Sequence, residues 1–247
     1  MLSTGYPSNV STKTEVIDLE DSNVVCKDLD NFPIELYGSV GGNLASIPII
    51  CGGEFYNGSL YSFNKCYKYK EGGWQHFVTM IDRRSGAAGI VYDNALHIFG
   101  GFDYNEETPL KSSEIINEDG STTEGPQLPE KIVYHAMASI NSTLSVLTGG
   151  YSYDDTITDR TWYFSHTTQQ FQPGPNLLER RNWHSSATIT NQETKERILV
   201  VAGGYRNSDG FLSSTELLIN GEWETGKNHS VIICFIQLER ILLLSGY

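Results

Sequence analysis

Four Gly-Gly pairs, at Gly52-Gly53, Gly100-Gly101, Gly149-Gly150 and Gly203-Gly204, constrain this chain more than any other feature. Each closes an apolar run (47–51, 95–99, 144–148 and 198–202), and an aromatic follows within two residues at Phe55, Phe102, Tyr151 and Tyr205. The second glycines, at 53, 101, 150 and 204, are 48, 49 and 54 residues apart. Degenerate copies stand near both ends, with Gly5 placed 48 residues before Gly53 and Gly246 placed 42 after Gly204. Self-similarity at such a period signals stacked units, none of which can bury its own faces alone.

The rest of the unit repeats as well. About 21 residues after the second glycine come Trp74, Phe171 and Trp223, with Cys26 and Thr123 at the matching offset. Strand-forming segments lie between, among them Tyr67-Lys68-Tyr69, Glu114-Ile115-Ile116, Trp162-Tyr163-Phe164 and Glu216-Leu217-Leu218. Each period reads as four short strands separated by Gly, Pro, Asn and Asp turns, with no helical periodicity. Radial stacking of such sheets buries their faces and leaves only short, protected edges. The repeat-phased aromatics are expected between neighbouring sheets, in a structural role.

The Gly-Gly pair after an apolar strand, the aromatic in the third strand and the Trp in the fourth, at a period near 50, resemble the Kelch repeat. The resemblance spans essentially the whole chain and implies an all-β, Kelch-type β-propeller of four-stranded blades, about five repeats, as one domain over residues 1–247. Cys26 and Thr123 depart from the usual Trp, and each terminal unit lacks one glycine of the pair. The ends admit two readings. In one, the strands near 231–235 and 241–244 close a five-bladed ring with 10–19 and 23–27; in the other, the chain is a fragment of a six-bladed or larger propeller.

Composition narrows the function. With 17 basic and 30 acidic residues the net charge is −13, which disfavours nucleic acid as a partner. No apolar run reaches the roughly 20 residues of a membrane span. Residues 1–7 carry no signal-peptide pattern. The expected location is therefore cytoplasmic if Met1 is the true start, and extracellular if a signal peptide precedes it. No spacing for a metal site, a nucleophile elbow or a phosphate loop occurs, so no catalytic residue, metal or cofactor is expected. His135 and His184 are in phase with the repeat and read as structural. Acidic residues gather after the glycine pairs (Asp103, Glu106 and Glu107; Asp154, Asp155 and Asp159; Asp209), where turns favour Asp and a hard cation is the minor reading.

Loops carry the variable chemistry of a rigid scaffold. In peptide-binding Kelch propellers the loop after the glycine pair and the loop entering the first strand share one face. Here the first class offers Tyr56 and Asn57, Tyr104, Tyr153, and Arg206 with Asn207; the second offers Arg83 and Arg84, Tyr134, and Arg180 with Arg181. Tyr and Arg dominate interface hot spots. The expected partner-binding set is Arg84, Tyr104, Tyr134, Tyr153, Arg181, Arg206 and Asn207, with the arginines 84, 181 and 206 as anchors for a protein or peptide. A carbohydrate-acting enzyme of epimerase or oxidase type is the alternative, set against first strands that offer mainly Ala, Ser, Ile and Val (Ala87, Ala88, Ala136, Ala138, Ser185, Ala187) in place of polar catalytic side chains. An incomplete fragment of a larger Kelch protein is the other.

Of the four cysteines, Cys51 and Cys66 fall on strands expected to be adjacent, so a disulfide between them is geometrically open, whereas Cys26 and Cys234 fall too far apart to bridge within one blade. Four Asn-x-Ser/Thr sequons, at Asn9, Asn57, Asn141 and Asn228, are about as many as this composition yields by chance.

Overall fold

The structure, a computed structural model, describes residues 12, 14–17, 26–154, 156–190 and 195–226. Among these residues there is no helix, and so none long and apolar enough to cross a membrane. Four four-stranded antiparallel sheets follow one another along the chain. Sheet I comprises Val40–Leu44, Ile47–Cys51, Lys65–Lys70 and Gly73–Thr79; sheet II, Ala88–Tyr92, Ala95–Phe99, Ser113–Asn117 and Thr122–Glu124. Sheet III comprises Ala136–Ser139, Leu144–Thr148, Thr161–Ser165 and Gln170–Pro173; sheet IV, Ser185–Thr190, Arg197–Ala202, Thr215–Ile219 and Glu222–Thr225. Each sheet runs in simple sequence order, as short turns dictate for antiparallel neighbours. The first strand of each sheet lies against the first strand of the next. A shorter pair, Glu15–Ile17 with Cys26–Asp28, precedes them. The strands expected near 231–235 and 241–244, together with Gly5, Gly246, Cys234, Asn9, Asn228 and Asp155, lie outside the described residues.

The core sits between sheets rather than inside one. Alternation along a strand sends successive side chains to opposite faces. Thus Leu96 and Ile98 of sheet II pack on Val40, Leu44 and Ile49 of sheet I. Their neighbour Phe99 instead joins Met137, Leu147 and Phe164 of sheet III. Between sheets III and IV lie Val146, Leu177, Leu199, Val201 and Trp223. Phe171 borders the second cluster, while Trp74 borders a further one formed by Phe32, Leu36 and Ile50. Phe171 and Trp223 are therefore inter-sheet packing groups, whereas Trp74 packs sheet I on the segment before it; Trp223 also donates its indole N–H to the Pro175 carbonyl at 2.9 Å.

The glycine pairs sit where the second strand ends against the next sheet. Gly149 and Gly150 have φ of 54° and 108°, and a Cβ on Gly149 would collide with the Arg181 carbonyl. Only glycine meets both demands there.

Cys51 and Cys66 are direct partners across the second and third strands of sheet I and form a disulfide, with both residues fully buried. It closes a loop of 15 residues in the unfolded chain. Substituting both cysteines by Ala should lower unfolding stability by about 3 kcal/mol, the chain-entropy value for such a loop. Urea unfolding of the pair variant checks this, and a loss under about 1 kcal/mol would show that the bond is thermodynamically idle.

Candidate functional site

Antiparallel order puts two kinds of loop at the same end of every sheet. One is a hairpin inserted between the second and third strands, as in Glu54–Tyr56 with Leu60–Ser62 or Tyr205–Arg206 with Gly210–Phe211. The other is the loop leading into the first strand. Backbone pairing joins the two kinds through Tyr37 and Glu54, Ser85 and Phe102, Val133 and Tyr151, and Asn182 and Tyr205. The face is thus stitched to itself by main-chain bonds.

Inside this layer runs a series of left-handed residues in phase with the repeat. Gly38, Gly86, Tyr134 and Trp183 have φ of 65°, 61°, 57° and 55°. Gly86 donates its N–H to the Gly38 carbonyl at 2.8 Å, Tyr134 to Gly86 at 2.8 Å, and Trp183 to Tyr134 at 3.0 Å. Gly86 has to be a glycine because the Tyr134 ring occupies the place of its side chain. Tyr134 and Trp183 hold a conformation that bulky residues avoid at a cost of about 1–3 kcal/mol each. Their rings meet edge to face at 5.4 Å, and the aromatic run continues outward through Tyr205 (5.6 Å from Trp183) to Phe211 (5.5 Å from Tyr205).

Glu54 stands directly after a glycine pair, where the other repeats carry Phe102, Tyr151 and Tyr205. It is only 4% exposed, and burial pushes its pKa up to about 7, although the hydroxyls of Ser85 and Tyr104 pull it partly back. Neither hydroxyl completes a well-formed hydrogen bond to Oε2, which is left without a partner. Tyr104 and Tyr134 share a 2.6 Å bond between their hydroxyls. Burial first, and the Glu54 charge second, raise both phenols, Tyr104 to about 12. The group is a neutral-poised carboxyl among neutral phenols.

The expected binding residues divide. Tyr104 and Tyr134 are half-buried and in contact. Tyr153 is 70% exposed, with the Lys131 ammonium 5.3 Å from its ring. Asn207 is exposed, while Arg206 is half-buried and paired with Asp209 and with Glu179 at 3.5 Å. Arg84 and Arg181 do not belong to the face: both are 0% exposed. Each guanidinium enters the adjoining sheet. Arg181 meets the Gly203 carbonyl at 2.6 Å, Glu216 at 2.7 Å and Glu179 at 3.1 Å; Arg84 meets the Gly100 carbonyl, Glu114 and Asp82 at 2.7, 2.7 and 3.1 Å. A cation already gripped by carboxylates and carbonyls has no fork left to offer a partner. Of the three anchors, only Arg206 stays at the face.

Several residues at this end carried no expectation: Glu54, Trp183, Phe211, Ile81 and Leu178. Glu54 was detectable as the charged residue in an otherwise aromatic repeat position. Tyr56, Tyr61, Ile81, Tyr153, Leu178 and Phe211 are the exposed large hydrophobic residues among those described, and all six lie on hairpins or entry loops at this end. Among the described residues no three metal-ligating groups come together. Asp103 accepts the Asn105 N–H at 2.9 Å, Asp154 the Thr156 hydroxyl at 2.8 Å, and Asp209 pairs with Arg206.

By fold and site this is an all-β protein of four-stranded sheets laid one on the next, with a hairpin-decorated aromatic end. No family model matches the chain, and no curated protein matches it in sequence. In shape it is similar to the solved structure of YjhT, with a TM-score of 0.78 at 13% identity over 89% of this chain and 79% of that one. At that identity the likeness speaks for the fold alone.

Proposed function

We propose that the chain is a Kelch-type β-propeller working as a non-catalytic scaffold, which recognises a partner protein or peptide through its hairpin end. The observation that carries this reading is the concentration of exposed large hydrophobic residues at that end. Scattered single residues of this kind are ordinary, whereas a one-sided concentration marks an interaction surface. The hydrogen-bonded series from Gly38 to Trp183 fixes the hairpins relative to one another, which lowers the ordering cost of binding. Tyr104, Tyr134, Tyr153, Arg206 and Asn207 are the expected contacts that this face retains. The carbohydrate-enzyme reading has less support, because the Glu54 carboxyl, the acid raised to about 7 at this end, is almost entirely covered.

Site-specific photo-crosslinking tests the reading. A crosslinking amino acid placed at Tyr56, Tyr153 or Phe211 should trap a discrete protein adduct in cells that make the chain. The same group at Glu71, Glu118 or Thr167, on turns at the opposite end, should not. Equal trapping at both ends would remove the face assignment.

A further inference from the structure

We propose that Asn57 and Asn141 are sites of N-linked glycosylation on a chain that folds in an oxidising compartment. Two independent observations converge. The first is the Cys51–Cys66 disulfide. Its sulfurs are fully buried, and thiol–disulfide exchange requires access to sulfur, so the bond forms before sheet I is closed by its neighbours. Two thiols lose two electrons and two protons to a disulfide oxidant, which is reduced to a dithiol. The ER lumen and the bacterial periplasm do this to folding chains, and N-glycans are attached in the first of them.

The second observation concerns where the sequons fall. Asn57 and Ser59 are exposed at the tip of the first hairpin, where the Asn57 N–H bonds the Ser59 carbonyl at 3.0 Å. Asn141 and Thr143 are exposed on the turn between the first two strands of sheet III. There Asn141 Oδ1 accepts the N–H and the hydroxyl of Thr143 at 2.9 and 3.0 Å, so the Nδ2 that would receive a sugar takes no part in either bond. Both acceptors stand at turns with room for a bulky substituent. Transfer makes a bond from Asn Nδ2 to the anomeric carbon of an oligosaccharide. It breaks the bond from that carbon to a lipid-linked diphosphate, which leaves with its electron pair as the amide proton passes to base. The two glycans would lie at opposite ends of the sheets, Asn57 on the rim of the hairpin face.

The experiment uses the protein isolated from its own cells. Non-reducing peptide mapping reads the Cys51–Cys66 link, and amidase removal of N-glycans in heavy-oxygen water marks each formerly glycosylated Asn as an oxygen-labelled Asp. Label is counted only above a parallel incubation without amidase, because Asn57 precedes Gly58 and such a pair deamidates unaided. Label at Asn57 and Asn141, with the cysteine peptides joined, is the expected result. Unlabelled asparagines overturn the proposal whether or not the cysteines are joined, free thiols overturn the compartment, and label at one site alone overturns the other. Asn57→Gln, Ser59→Ala and Asn141→Gln should each remove one glycan's mass from the intact protein, and an unchanged mass overturns that site.

Discussion

Replacing Arg181 by Met should lower the unfolding free energy by about 3–5 kcal/mol, the range for breaking a buried ion pair from one side. Glu216 would keep its charge at 2% exposure with no counter-ion, and the Gly203 carbonyl would lose a donor. Glu216 also accepts the backbone N–H groups of Leu178 and Glu179 at 2.6 and 3.1 Å, so it cannot withdraw to solvent without releasing the entry loop. Arg181→Met combined with Glu216→Gln should recover part of the loss, since the amide removes the stranded charge and still accepts a backbone N–H. The same holds for Arg84 with Glu114, which takes the N–H groups of Ile81 and Asp82 at 2.6 and 2.9 Å. Urea unfolding of the singles and the double measures the coupling. Single variants within about 1 kcal/mol of the parent would mean that these arginines are effectively solvated.

The second large effect is in the dependence of stability on pH, where two kinds of buried group oppose each other. Burial lowers His97 to about 4 and His135 to about 3, with the neighbouring His166 adding to the shift of His97, and burial also holds His184 well below its ordinary value of 6.5. Below 6.5 the unfolded chain binds protons there that the folded chain refuses, so stability falls with pH. At pH 5 each of His97 and His135 costs about 2 kcal/mol, because 1.5 pH units at about 1.36 kcal/mol separate that pH from the unfolded value. Glu54 acts the other way. Its pKa rises from 4.5 to about 7, so between those values the folded chain holds the extra proton, and stability falls as pH rises through 7. The penalty above pH 7 is about 3 kcal/mol. Glu54→Gln should therefore stabilise the protein by about that amount at pH 8 and leave unopposed the histidine loss between pH 6.5 and 5, of which His97 and His135 alone make about 4 kcal/mol. Profiles of parent and variant that run parallel from pH 5 to 8 would refute the assignment of Glu54.

Much of the fold was legible because its determinants are local or periodic. The glycine pairs, the strands before them, and Phe171 and Trp223 each sit where a spacing near 50 puts them. The adjacency of Cys51 and Cys66 followed from one hairpin connection. The arginines were misplaced because a loop arginine is ordinarily solvated, and the groups that bury these two lie 30 and 35 residues downstream. A signal existed: Ser112-Ser113-Glu114 and Ser214-Thr215-Glu216 recur in the two repeats that carry the arginines, whereas the repeats with Leu36 and Ile132 in that position lack both serine and glutamate. Glu54 stood out in its repeat position, but its setting did not: the hydroxyls of Ser85 and Tyr104 in a neighbouring repeat and the phenol of Tyr134 in a third interact with its carboxyl, a convergence that no single period contains.

The main-chain series through Gly38, Gly86, Tyr134 and Trp183 bears on how such a chain can change over generations. Each link is an N–H on a carbonyl, so the bond itself is indifferent to the side chain, and glycine, tyrosine and tryptophan all serve in it. Gly86 is held to glycine by the Tyr134 ring, so the freedom lies at the positions of Tyr134 and Trp183, where the side chain can differ while the main-chain bond is kept. Bonding of this kind lets two chains share an outline with few letters in common, as at a TM-score of 0.78 with 13% identity.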